Sequence, residues 1–467
     1  MNRVCNGRAG GGGAKRTRGR GIKIMGDLPM HIAIVNSALD PAGVAIRRHL
    51  LDLLDNAGAV PVVHRGRQLS FLETEGRLIY EEEIDRRADA DLIVFISRHT
   101  SIRPEPALTV HVTGNYATAD YGGRAGELAA AAPGWMHAVL QGLAARAPAG
   151  YRVSYEVTHH GPTDLATPSF FAEIGSTGEQ WRDPAAARAV AGAILDAEPS
   201  ASLTLIGFGG THYAARQTAI ALATGAAFGH IAPTREVVAL DTGMIAQMRE
   251  KSGAHAAYID RKALPGAVLS RLDALLAGLD MMVLSESDIH AASRLDLETY
   301  TAIRRLAEAQ APGSRVSVHA LEEPGDPVSF EIPGDLLDEA LQVDRARVLE
   351  RLDALPVVHL SSSTGKILPF FISYGKNRSS LIDELITLSI DIVTGQANNS
   401  VDGERLILRK LRFNPTKARA LGVPQGPLFK ELASGKAIER DGRIITPEMV
   451  SEWSEREIRV PGLERYV

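Results

Sequence analysis

The chain has 467 residues, 45% of them hydrophobic and 23% charged, a globular balance that suggests about two to three domains. A formal net charge of −5 does not advertise nucleic-acid binding overall, although a local basic face suffices for phosphate contact. No run of about 18 uncharged apolar residues argues for a membrane-spanning helix, and the only cysteine, Cys5, rules out internal disulfides and a thiolate zinc site.

The expected elements begin after a segment that stands apart. Residues 1–29 include "GRAGGGGAKRTRGRGIK", basic and glycine-rich, with no acidic residue before Asp27 and no apolar core of a secretory signal. A disordered tail is expected, or a true start at Met25 or Met30. The sharper reading is a basic arm on RNA phosphates. From Met30, strand and helix patterns alternate. "HIAIVN" (31–36) reads as a strand, and "DPAGVAIRRHLLDLLD" as a helix with Asp40 as N-cap and Pro41 in its first turn. Buried-strand runs follow at 91–97, 107–112, 152–157, 169–174 and 203–208. Amphipathic helices are expected at 134–146, 183–197, 214–224, 236–250 and 265–278. This alternation predicts an α/β fold with a mixed, largely parallel sheet flanked by helices, whose ligands sit beyond the carboxyl ends of the strands. A boundary near 290 separates residues 30–290 from a smaller α+β C-terminal domain, 291–467, with helical stretches at 334–354 and near 379–394.

Chemistry-bearing residues gather at strand ends. Of 14 histidines, His99, His111, His159, His160, His212 and His230 lie at such ends or in glycine-rich turns. One such histidine is usually a satisfied polar residue; several in one domain favour a shared site. "YEVTHHGPT" (155–163) allows a metal site, an acid/base pair or ordinary loop entry. In a continuous strand Glu156 and His160 would share a face about 13–14 Å apart, too far for one ion. The two histidines can meet at one site only if the backbone bends, and Gly161-Pro162 makes a bend plausible. "GFGGTHYAAR" (207–216) follows a strand and precedes a helix. It fits an anion or oxyanion contact from Gly209 and Gly210 about as well as simple tight packing, and matches neither GxGxxG nor a P-loop. The loop "TGNYATADYGGRAGEL" (113–128) offers Asn115, Tyr116, Tyr121 and Arg124 to a ligand; Ser176 and Thr177 fit helix capping. There is no GxSxG elbow and no HExxH, which leaves an activated water as the nucleophile.

Together "SRHT", "LTVHVTGNYATADYGGRAGEL", "YEVTHHGPT", "FFAEIGSTGEQW", "GFGGTHYAAR" and "FGHIAPT" resemble the archaeal and plant type of D-aminoacyl-tRNA deacylase, in order, over about residues 30–285. The resemblance implies a fold similar to peptidyl-tRNA hydrolase and nucleoside phosphorylases. It also implies a cytoplasmic, zinc-dependent (Zn2+) hydrolase that cleaves the ester between a D-amino acid and the tRNA 3′ end. Carried over, the zinc ligands are sought among His99, His111, His159, His160, Glu173 and His212. His160 or Glu156 is the candidate base, and His212, Gly209 and Gly210 serve the reaction. Arg98, Asn115, Tyr116, Gly122, Gly123, Ser176, Tyr213 and His230 are expected to position substrate. The alternatives are a nucleoside phosphorylase or other hydrolase on a related scaffold, or a non-catalytic tRNA-binding protein. Near the end, "LGVPQGPLFKELASGKAIERDGRIITPEMV" is similar to a segment of tRNase Z enzymes but lacks their HxHxDH motif. Lys417, Arg419, Lys430, Lys436 and Arg443 make it locally basic, so it is read as a tRNA-contact element.

Overall fold

The computed structural model describes residues 29–55, 61–102, 104–199, 203–321 and 325–466; the expected tail, apart from Pro29, lies outside them. The strands of the first half are β1 (His31–Ser37), β2 (Val62–His64), β3 (Arg67–Thr74), β4 (Leu92–Thr100), β5 (Ala107–His111), the short pair β6 (Gly114–Asn115) and β7 (Glu127–Leu128), β8 (Arg152–Tyr155) and β9 (Ser169–Ser176). Seven of them form a sheet in the order β2-β3-β1-β4-β9-β5-β8. It is largely parallel, with β5 antiparallel to β9 and β2 antiparallel to β3. A second, parallel sheet has the order β11-β10-β12-β13, from β10 (Leu203–Phe208), β11 (Ala226–Ala232), β12 (Ala256–Ile259) and β13 (Met282–Leu284). The expected mixed α/β fold is therefore the observed one.

Local signals explain the element starts. Asp40 accepts hydrogen bonds from the N–H groups of Ala42 and Gly43 and caps the helix Pro41–Leu53. Asp183 caps Pro184–Asp196 in the same way, with proline again in the first turn. The single helix expected over 236–250 is instead two, Thr234–Val237 and Thr242–Ser252, because Asp241 caps the second. One buried core joins both sheets: Ile34, Phe95, Phe170 and Phe171 from the first pack with Leu205, Phe228 and Tyr258 from the second.

Beyond the second sheet, β14 (Arg315–Val318), β15 (Pro327–Glu331), β16 (Val358–Ser361) and β17 (Ile367–Tyr374) form an antiparallel sheet in the order β14-β16-β17-β15. The helical stretch 334–354 is broken at Asp344, which ends Gly334–Val343 and caps Arg345–Ala354. A final ribbon pairs β18 (Ser400–Asp402), β19 (Arg405–Phe413) and β22 (Ser451–Arg459). The small hairpin β20 (Ile438–Arg440) and β21 (Arg443–Ile445) lies within the locally basic segment 421–450. Among the described residues no helix is long and apolar enough to cross a membrane.

Candidate active site

The site forms where the first sheet meets the second. β8 stops at Tyr155, and the chain then crosses between the sheets. Val157 N–H donates to His212 O at 2.9 Å and Thr158 N–H to Ile231 O at 2.9 Å. Past this crossing His159 bridges to Thr113, and His160 takes φ 47°, a left-handed conformation uncommon outside glycine. The backbone therefore bends, and the two imidazoles come together with ring centroids 4.4 Å apart.

Three neighbouring strands deliver the other groups. On β4, Ser97 and His99 share a face by strand alternation, with Arg98 on the opposite one. β9 pairs in register with β4 so that Glu173 lies opposite Ser97 and Gly175 opposite His99. A Cβ on Gly175 would stand 2.8 Å from the His99 ring, so only glycine leaves room for that imidazole. His111 closes β5, its ring 4.4 Å from His159 and 4.9 Å from His160. His212 enters from the turn after β10, 4.8 Å from the His159 ring and 5.2 Å from that of His99.

Hydrogen bonds divide this cluster into two parts. In the first, His111 Nδ1–H donates to Val112 O at 3.3 Å, His159 Nδ1–H to Val157 O at 2.8 Å and His160 Nδ1–H to Gly161 O at 2.7 Å. Each bond fixes a tautomer and leaves Nε2 for another partner. One ligand atom from each of the three lies within 4.8 Å of the others, and the buried His111 Nε2 has no hydrogen-bond partner. In the second part Glu156 is the hub. Its carboxylate lies 3.1 Å from His99 Nδ1, 3.0 Å from His212 Nε2 and 3.5 Å from His159 Nε2, yet neither buried oxygen completes a well-aligned hydrogen bond. Glu173 accepts from Ser97 Oγ and lies 3.7 Å from His99 Nδ1 and 3.6 Å from His111 Nε2.

The electrostatics favour a cation. Burial opposes ionisation of Glu156, but His99 and His212 overcome it and lower its pKa. Burial likewise opposes Glu173, and His111 and His99 drive it well below the carboxylate range. Burial pulls His99 down, yet Glu156 and Glu173 hold it up at about 9; His111 is raised in the same way against burial by Glu173. Burial, then His160 and His111, pushes His159 well below the ordinary imidazole value, and burial with His111 takes His160 to about 4. Two carboxylates kept anionic beside His159 and His160, which are kept neutral, suit a divalent ion of the zinc type, which would displace the proton that Glu173 favours on His111; three histidines are a sufficient donor set. His111, Glu156 and Glu173 form a second compact donor group, as do His99, Glu156 and His212.

Several expected residues sit elsewhere. The Gly209 N–H donates to Ala232 O at 2.9 Å and the Gly210 N–H to Thr234 Oγ1 at 3.0 Å, so neither is free for an oxyanion; the turn is built for packing. His230 is buried with Nδ1 3.1 Å from Thr158 Oγ1 and Nε2 3.0 Å from Ala129 O. Ser176 Oγ donates to Glu105 O at 2.6 Å, while Thr177 Oγ1 accepts from Glu179 N–H in a local turn. Arg98 stacks its guanidinium over Trp181, 5.1 Å from the ring centre. Asn115 Nδ2 donates to Gly122 O at 2.8 Å and so pins its own loop, and the Tyr116 ring packs into the core of the second sheet. Gly122 and Gly123 let that loop lie against Ile79 and Thr163, where added Cβ atoms would come within 1.9 and 2.4 Å. Tyr213 does reach the cluster, its hydroxyl 3.3 Å from His99 Nε2. Two supports lie inside the quoted motifs but were given no role there: Trp181, whose Nε1–H donates to His99 O at 3.0 Å, and Thr158, which meets His230.

The model of the D-aminoacyl-tRNA deacylase family matches residues 86–284. Proteins named D-aminoacyl-tRNA deacylase from Methanoculleus marisnigri and Methanoregula boonei are 52% and 47% identical to the chain, each over 94% of it and 100% of the relative. A crystal structure described as a conserved protein of unknown function superposes with a TM-score of 0.52 at 34% identity, over 57% of this chain and 98% of the other. The chain belongs to the D-aminoacyl-tRNA deacylase family.

Proposed function

We propose that the chain hydrolyses the ester between a D-amino acid and the 3′ end of tRNA, with His111, His159 and His160 holding zinc. The observation that carries this reading is the convergence of three imidazoles whose Nδ1–H groups are tied to backbone carbonyls. The names of relatives that align along their whole length supply the substrate. Zinc bound there supplies a Lewis acid that polarises the ester carbonyl and makes water more acidic.

The chain's own residues then handle the proton. The His212 side chain is 32% exposed, more open than those of His99, His111 and His159, and Glu156 engages its Nε2. With Nε2 engaged by Glu156, Nδ1 is the ring nitrogen left to accept the proton of the attacking water. The new bond joins the water oxygen to the ester carbonyl carbon. As the bond from that carbon to the ribose oxygen breaks, the same imidazole returns the proton to the ribose oxygen. Glu156, 0% exposed, orients His212 and balances its charge rather than meeting water itself. This moves the base from His160 or Glu156 to His212. Tyr213, which touches both the buried His99 and His212, is the wall against which an L side chain would clash.

The exposed Lys417, Arg419, Lys430, Lys436 and Arg443 offer positive charge to tRNA phosphates from an accessory domain, 291–467. The substrate places the reaction in the cytoplasm. Deacylation of D-tyrosyl-tRNA by the full chain and by His212→Ala tests the reading. A large loss of turnover with retained zinc is expected, and unchanged turnover would remove His212 from the mechanism.

A further inference from the structure

A second convergence of metal-type donors lies in the C-terminal half, outside everything the deacylation reading uses. β14 and β16 pair antiparallel with Ser317 opposite His359, so His319, just past β14, stands on the same face one diagonal step from His359. The two rings stack at 5.7 Å with 8° between their planes. Asp353 reaches them from the last turn of the helix Arg345–Ala354, its Oδ1 3.2 Å from His319 Nε2. One ligand atom from each of the three lies within 4.8 Å of the others.

Two further observations point to a missing partner. His359 is only 5% exposed, and its Nδ1 is buried without a hydrogen-bond partner, an arrangement that folding normally avoids. Asp353 places a carboxylate at the negative end of its helix, where the dipole opposes it and a nearby cation would offset both.

We propose that His319, Asp353 and His359 form a second divalent-cation site, of the two-histidine, one-carboxylate kind, that takes a first-row transition metal such as zinc. The His319 and Asp353 side chains are 42% and 51% exposed, which leaves the remaining coordination positions to water. The ion bridges the β14–β16 sheet to the helix Arg345–Ala354. Its role is to lock the C-terminal half, not to perform the hydrolysis.

The test is titration of the metal-stripped full chain with zinc alone, in the wild type, Asp353→Asn and His319→Gln. Both substitutions change partly exposed side chains, and the unfolding temperature without metal checks that the fold survives. The wild type is expected to bind one equivalent more than either variant, or to bind it more than about tenfold tighter. Zinc should raise the unfolding temperature of the wild type more than that of either variant. A His159→Gln background separates the two sites: it should retain the C-terminal equivalent and lose it when Asp353→Asn is added. Equal stoichiometry and affinity in all forms, or binding seen only at millimolar zinc, would overturn the proposal. Neither result depends on whether the deacylation reading stands.

Discussion

The turns at His159–Pro162 and Gly209–His212 occupy comparable places, each leaving a strand at the junction of the two sheets. Both contain glycine and histidine, and both were expected to serve the reaction. They differ in what their polar groups already do. In the glycine turn the N–H groups of Gly209 and Gly210 are engaged by Ala232 and Thr234. In the histidine turn, backbone carbonyls hold the Nδ1 sides and direct Nε2 into the cluster. The lesson is that chemistry resides where a buried polar atom is held in place yet lacks its last partner, and tight packing resides where all are satisfied.

Substitutions can break or sharpen that contrast. Among substitutions that leave the three converging imidazoles in place, the largest effect is expected from Glu156→Gln, which removes the charge facing His99, His159 and His212. Turnover should fall by roughly 10²- to 10⁴-fold, read by single-turnover deacylation. Gly175→Ala comes next, because its Cβ displaces the His99 ring. A loss of up to about a hundredfold with near-normal folding is expected, and an unchanged rate would take His99 out of the working site.

His230→Gln probes a histidine satisfied on both sides. It should change turnover only a few-fold but alter stability against pH. Burial lowers His230 to about 4 from an ordinary value of 6.5, so the unfolded chain takes up its proton first as pH falls. The wild type should lose stability across that window, by at most about 3 kcal/mol from this residue. Denaturant midpoints should show a shallower acid dependence in the variant. The smallest effect on activity belongs to Gly210→Ala. At φ 98° a side chain costs about 1–3 kcal/mol of stability, while activity per folded molecule stays the same. A large fall in turnover would return that turn to the chemistry.

Much of the fold was legible because its signals are local. Asp40 with Pro41 announces a helix, and the apolar runs from Leu92 and Leu203 announce strands. The strands β2, β12 and β13 were missed, since three or four residues are too short for a period to register; the eight-residue β3 was missed as well, its run of Arg67, Gln68, Ser70, Glu73 and Thr74 among three apolar residues hiding the strand. The site was legible as a set of strand-end histidines. Their division of labour was not, because it depends on partners far away in sequence. The bend after Glu156 is imposed by His212 O and Ile231 O, and the inward turn of His230 by Thr158 and Ala129. The break at Asp344 shows the same limit, as helical spacing continues across a residue that ends one helix and caps the next.

The central claim is that the three converging imidazoles hold a metal required for chirally selective ester hydrolysis. The most direct measurement compares deacylation of D- and L-tyrosyl-tRNA by the wild type and His160→Ala, with and without a chelator. Fast cleavage of the D ester alone, abolished by the chelator, restored by zinc and absent in His160→Ala, is the predicted result. Equal rates on both enantiomers, or rates indifferent to the chelator, would contradict it.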